Sequence, residues 1–353
     1  MRSGGAMKSL RRSLCVLLLA SVAAGCGGKG DDGTVKQAVR LALNTPITAE
    51  DSPADIIAGF YMKGPRMEIY DSEIYEKYDA LATICCTGGK LAITAEDDAG
   101  PFFVERLGDA PVQPHRDYVI GTLAAAGVPK NSGFVSSFGT MYTLDAFTHR
   151  AMWELDIEEL SAERAVVRGA GGNELGWTLR AMAEYADLYT PWKDAKGRRL
   201  DVEKVLAAAL KRRLGWGSCA GTHELAGIAA LVGAYGRDHT AQPGGVWAEA
   251  ARRVEEAIAL ARKNQGESGA FGARWFESGA IPEDPVEALH YTGHVLDFVV
   301  MNVPAGELEK PWVRLAAEFL AEQINYNIHQ VREMETLAVA AHALRVYLER
   351  KKK

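Results

Sequence analysis

LAGIAALVGAY, residues 225–235, runs for about three helical turns with no charge and no polar side chain before its final tyrosine. A helix without a wet face must be buried on all sides. It follows GWGSCAGTHEL, residues 215–225, where Trp, Cys, Thr, His and Glu crowd into one short stretch. Three further segments have the same apolar character: NELGWTLRAMAEYADLY (173–189), VLDFVVMNV (295–303) and LAVAAHALRVYL (337–348), the first interrupted by Arg180, Glu184 and Asp187. Between them lie helices of the other kind. WAEAARRVEEAIALARK (247–263) sets Trp247, Ala250, Ala251, Val254, Ile258 and Ala261 on one face against Glu249, Arg252, Arg253, Glu255 and Glu256. Residues 202–213 and 312–323 repeat that amphipathic design.

Inner and outer helices therefore alternate, with inner starts near 174, 223, 294 and 336. The fold class expected is all-α, an α/α toroid of helical hairpins. Closure is favoured over an open solenoid because wholly apolar inner helices would leave an open concave face wet. The first half is less regular. Helices are expected near 36–43, 53–61, 71–85, 115–127 and 141–156, broken by TAEDDAGP (94–101) and VPKNSGF (128–134), and no strand signal persists long enough for a β domain.

The chain has 353 residues. Its first 25 have a positive start (Arg2, Lys8, Arg11, Arg12), an apolar run from Leu14 to Ala24 and then Cys26, the pattern of an export signal too short to span a bilayer. SVAAGC resembles the bacterial lipoprotein signal, which implies cleavage before Cys26 and its lipidation. The partner so implied is the membrane, through acyl chains worth about 0.8 kcal/mol per buried methylene. GGKGDDGT (27–34) suits a flexible tether, leaving 35–353 as one toroid domain. Gly27 in place of a retention Asp points to the outer membrane or cell envelope. Loss of residues 1–25 removes four positive charges and no negative ones, so the formal net charge of −6 falls to −10, which argues against nucleic acid. Cys85, Cys86 and Cys219 remain, and one of the adjacent pair could bridge to Cys219.

ARKNQGESGAFGARWF (261–276) places Gln265, Gly269 and Phe271 after an outer helix. This resembles the Q-x3-G-x-W repeat of terpenoid cyclases and protein prenyltransferases, with Phe for Trp, and implies an α/α toroid. Their chemistry does not carry over: Ala95-Glu96-Asp97-Asp98 lacks the first acid of the cyclase motif, and no diphosphate-binding cluster occurs. Residues 115–350, through Glu174-Leu175-x-Trp177, Cys219-x-Gly221-Thr222-His223 and Thr292-Gly293-His294, are similar to a group of exported planctomycete-type proteins. That resemblance implies a fold and no activity.

Thr222, Thr292 and Asn173 look like N-caps, which would put His223, His294 and Glu174 in the first turns of inner helices. Parallel inner helices would then gather these groups at one mouth, lined by Glu174, Trp177, Trp216, Cys219, His223, Tyr291 and His294. Cys219, His223 and His294 could ligate zinc, an arrangement resembling the Cys/Cys/His site of lanthipeptide cyclases. Glu174 with Asp297 or Glu224 could instead cleave envelope saccharides beside Trp177, Trp216 and Tyr291. The reading preferred over either is a non-catalytic pocket or scaffold that holds an envelope ligand or protein, with the enzyme readings as its alternatives. The histidines could also simply cap helix ends, and His342, two turns into its helix, reads as a satisfied core residue. No phosphate loop, nucleophile elbow or HExxH motif is present.

Overall fold

A computed structural model describes residues 32–71, 76–85, 91–94, 102–105, 117–135, 140–158, 175–213, 215, 218–239 and 243–352. The export signal, Cys26 and the tether before residue 32 lie outside the described residues. So do Asn173, Glu174 and Trp216. No described helix is long and apolar enough to cross a membrane.

The chain is predominantly helical. In order come α1 (Asp32–Leu43), α2 (Pro53–Lys63), α3 (Ala80–Cys85), α4 (Tyr118–Ala125), α5 (Leu144–Trp153), α6 (Gly176–Tyr185) and α7 (Val202–Leu210). They are followed by α8 (Thr222–Asp238), α9 (Gly245–Asn264), α10 (Pro285–Asn302), α11 (Ala305–Leu308), α12 (Pro311–Asn327) and α13 (Met334–Lys351). Local chemistry sets several starts. Ser52 caps α2 through Asp55 N–H with Pro53 at the first position, Asp201 caps α7, and Asp284 caps α10 ahead of Pro285.

Six helices pack in sequence on one another: α2 on α4, α4 on α6, α6 on α8, α8 on α10, α10 on α13, and α13 back on α2. Four of them, α6, α8, α10 and α13, carry the apolar faces that the sequence marks as inner. In α10 every residue from Thr292 to Val300 is buried, and in α13 every residue from Thr336 to Leu344. The amphipathic helices lie against them, α9 on α7 and α8, and α12 on α10 and α13. Trp247 and Trp312 anchor α9 and α12, Trp247 stacking on Tyr235 at 4.5 Å and donating to Glu203. α6 and α8 run in the same direction, since Gly176 abuts His223 while Gly227 abuts Gly176 and Leu179. α10 and α13 are likewise parallel, with His290 against Thr336, Gly293 against Ala340 and Asp297 against His342.

The Gln265 motif ties this arrangement together at its rim. Gln265 Nε2 donates to the carbonyls of Gly269 (2.9 Å) and Trp312 (2.8 Å), joining the end of α9 to the start of α12. Gly269 has φ +90°, and a Cβ there would run into the Leu315 carbonyl. Phe271 is fully buried, and its N–H donates to Thr292 Oγ1 at 2.9 Å.

The first half departs from the expectation of helices alone. β1 (Glu68–Asp71) and β2 (Glu76–Asp79) form a hairpin where a helix over 71–85 is expected, and only its end, α3, is helical. β3 (Leu91–Thr94) pairs with β4 (Phe102–Glu105), β5 (Gly133–Val135) with β6 (Met141–Thr143), and β7 (Trp192–Lys193) with β8 (Arg199–Leu200). Each strand is too short for a period-two pattern to emerge. All four hairpins are separate two-stranded sheets, so there is no β layer among the described residues.

Candidate metal centre

Cys219 sits in a 3-10 turn, Ser218–Gly221, immediately before α8. Cys219 (φ 50°), Ala220 (φ 56°) and Gly221 (φ 72°) are all left-handed. For residues bearing a Cβ that conformation costs about 1–3 kcal/mol each and persists only where the surroundings impose it. Thr222 contributes, since its hydroxyl donates to the Cys219 carbonyl at 2.6 Å. The turn leaves the Cys219 sulfur within 4.8 Å of the nearest donor atom of His223, four residues on.

His223, the second residue of α8, is placed by close helix packing. Gly176 leaves room for the His223 backbone, because a Cβ there would collide with the His223 carbonyl. The imidazole lies 4.9 Å from the Trp177 ring and 4.9 Å from the His294 ring, centroid to centroid. His294 comes from α10 and Glu335 from the first turn of α13. The result is a group of four donors, Cys219, His223, His294 and Glu335, whose ligand atoms all lie within 4.8 Å of one another. His223 is 2% and His294 5% exposed, whereas the Glu335 side chain is 26% exposed and its Oε1 stands 3.8 Å from His223 Nε2. The set therefore has a buried imidazole side and a solvent side.

A zinc ion needs about 2.0–2.3 Å to each N, O or S donor, so shifts of about 1 Å would close this group around one ion. Thiolate, imidazole and carboxylate together are zinc-type donors rather than the all-oxygen set of calcium or magnesium.

Other groups surround the four without joining them. His290, one turn before His294, places Nε2 3.4 Å from Cys219 Sγ and Nδ1 2.9 Å from Thr336 Oγ1. Tyr291 lies beside His290, with centroids 5.2 Å apart. Burial raises the Tyr291 phenol pKa, and negative charge at Glu287 and Cys219 adds to this. Tyr118 meets Trp177 edge-on at 5.1 Å, and its phenol is pushed well above the ordinary value by burial and then by the Glu335 charge.

Deeper along the same helices lies a second polar cluster. Asp297, one turn beyond His294, accepts hydrogen bonds from the Tyr61 hydroxyl and from His342 Nδ1 (2.6 Å), with Arg180 3.8 Å away. Arg180 also donates to the Tyr61 oxygen at 3.0 Å and lies 4.9 Å over the Trp177 ring. The Trp177 ring thus contacts both the Arg180 guanidinium and the His223 imidazole. Burial alone would raise the Asp297 carboxyl pKa. The positive charges at His342 and Arg180 and the bonds from His342 and Tyr61 outweigh it and hold the carboxyl below its usual range.

Four of the seven pocket residues read from the sequence, Cys219, His223, Tyr291 and His294, come together here, with Trp177 behind them. Glu174 and Trp216 lie outside the described residues. Three local expectations are corrected. Thr222 is the first residue of α8 and Gly221 its N-cap. Thr292 is not a cap at all, because α10 begins at Pro285 behind Asp284. His294 consequently sits in the third turn of its helix rather than the first. Cys219 faces His290 and forms no disulfide among the described residues, while Cys86 and the Cys85 side chain lie outside them. Asp297 and Glu224, the suggested partners of Glu174, are each engaged elsewhere, Glu224 with Arg212 at 3.2 Å. His342 is a satisfied core residue, as expected.

Sequence reasoning missed Glu335 and His290. Neither stands in a recognisable motif, although a Glu at the start of an inner helix was a usable signal. The chain matches no family model, and no curated protein or solved structure proved significantly similar to it.

Proposed function

We propose that the chain is an exported, lipid-anchored α/α toroid whose function resides in a zinc centre formed by Cys219, His223 and His294, with Glu335 at the solvent side. The cyclic order of helix contacts, α2 through α4, α6, α8, α10 and α13 back to α2, supports ring closure. The single observation that carries the metal reading is the convergence of four donor atoms within 4.8 Å from three separate helix regions. Left-handed backbone at Cys219 adds to it, because strain of this kind concentrates at functional sites.

The asymmetry of burial favours a reaction over a purely structural clamp. Structural zinc sites are closed by four protein ligands, and catalytic ones keep a position for water. The two imidazole donors lie on the protected side, and the thiol and the carboxylate are half-buried. Cys219, His223 and His294 would hold the ion, whose Lewis acidity would ease loss of a proton from water, and Glu335 stands where it would accept that proton. The reaction class is therefore metal-assisted hydrolysis at the cell envelope, with no substrate assigned. The saccharide-cleaving alternative loses support because Asp297 and Glu224 are already committed to other partners.

The test is zinc content of the purified full chain after reconstitution and removal of loose metal. We expect one zinc per chain in the wild type and in Glu335→Gln, and loss of tight binding in Cys219→Ala and His223→Ala. No zinc in the wild type, or wild-type retention in Cys219→Ala, would overturn the metal reading. Loss of zinc in Glu335→Gln would make Glu335 a fourth ligand and the centre structural.

A further inference from the structure

We infer that His290, fixed by Thr336, donates a hydrogen bond to the Cys219 sulfur and thereby sets how strongly that sulfur binds the metal; this rests on the zinc reading above. His290 and His294 are one turn apart on α10, with ring centroids 4.6 Å apart, yet they face different atoms. His294 belongs to the four-donor group, whereas His290 directs Nε2 to Cys219 Sγ at 3.4 Å and Nδ1 to Thr336 Oγ1 at 2.9 Å. Both His290 nitrogens are thus engaged outside the metal position.

The chemistry of the pair fixes the direction of each bond. A metal-bound thiolate only accepts, so Nε2 must carry the proton. Nδ1 then presents its lone pair, and the Thr336 hydroxyl must donate to it. Thr336 is 2% exposed and follows Glu335 directly, so the first turn of α13 supplies one group to the centre and the next residue to its outer support. An N–H bond to the sulfur draws some charge from it but favours the thiolate over the thiol and holds its direction, and partners of this kind typically change metal affinity about 10–100-fold. His290 is a positioning residue, and Thr336 fixes its tautomer.

Cobalt(II) tests this, because its sulfur-to-metal charge-transfer band reports the electron density on the thiolate. Full-chain wild type, His290→Ala, His290→Gln and Thr336→Val are titrated with cobalt, with circular dichroism confirming that each is folded. Removing the donor should move the band to longer wavelength and weaken binding about tenfold or more in His290→Ala. Thr336→Val should move it the same way by less, and His290→Gln, which keeps an N–H, should return it toward wild type. Wild-type bands and affinities in both His290→Ala and Thr336→Val would overturn the inference. Should His290→Ala fail to fold, the near-isosteric Thr336→Val decides alone. A wild type lacking the sulfur band would instead sink the zinc reading itself, which separates the two failures.

Discussion

Asp297 is charged, 3% exposed and bonded to Tyr61 and His342, with Arg180 beside it. Breaking one partner out of a buried charge group typically costs about 3–5 kcal/mol, because the remaining charge stays buried without compensation. Asp297→Asn should therefore destabilise the protein by roughly that amount at neutral pH, read from urea unfolding. The pH dependence has a definite sign. The folded carboxyl titrates below the unfolded value of about 3.9, so its contribution is present above that pH and is lost as pH falls through the folded pKa. The stability gap between wild type and Asp297→Asn should narrow on acidification, and a widening gap would contradict the network as described. At this scale the sequence revealed side chains better than partnerships. Cys219, His223 and His294 stand in short motifs that invite a chemical reading. Glu335 and His290 join them only through distant contacts that no local pattern encodes, His290 with Thr336, 46 positions on, and Glu335 with His223 of α8.

From α6 onward the helices obey period 3.6, and for that reason their order and their inner or outer character could be read directly from the chain. Boundaries were harder to place. α10 starts nine residues before its histidine because Asp284 and Pro285 form the real cap, while Thr292 merely looks like one and instead accepts the Phe271 N–H. The hairpins escaped notice because strands of two to four residues carry almost no periodic signal. The Gln265 motif is where an element-scale prediction is sharpest. Gly127 and Gly269 both have positive φ, but a Cβ on Gly127 meets nothing within 4 Å while one on Gly269 meets the Leu315 and Ala316 backbone. Gly127→Ala should thus cost only the left-handed penalty of about 1–2 kcal/mol. Gly269→Ala should cost clearly more and lower the unfolding midpoint further, since α12 must move away from the end of α9. Equal losses in the two variants would show that the Gln265 junction is not rigid.

On the scale of the molecule, six mostly apolar helices in cyclic contact leave little interior room for polar chemistry, and the polar groups they do carry fall into two levels. The inner level, around Asp297, is internally satisfied and reads as structural. The outer level, around Cys219, is strained, unevenly exposed and rich in metal donors. Gly176 and Trp177 link the two, one by letting α6 approach α8, the other by contacting both Arg180 and His223. X-ray absorption at the zinc edge of the reconstituted full chain examines the centre most directly. The account predicts a shell of one sulfur at about 2.3 Å and nitrogen or oxygen neighbours at about 2.0–2.2 Å. A shell without sulfur would place the metal away from Cys219 and contradict it.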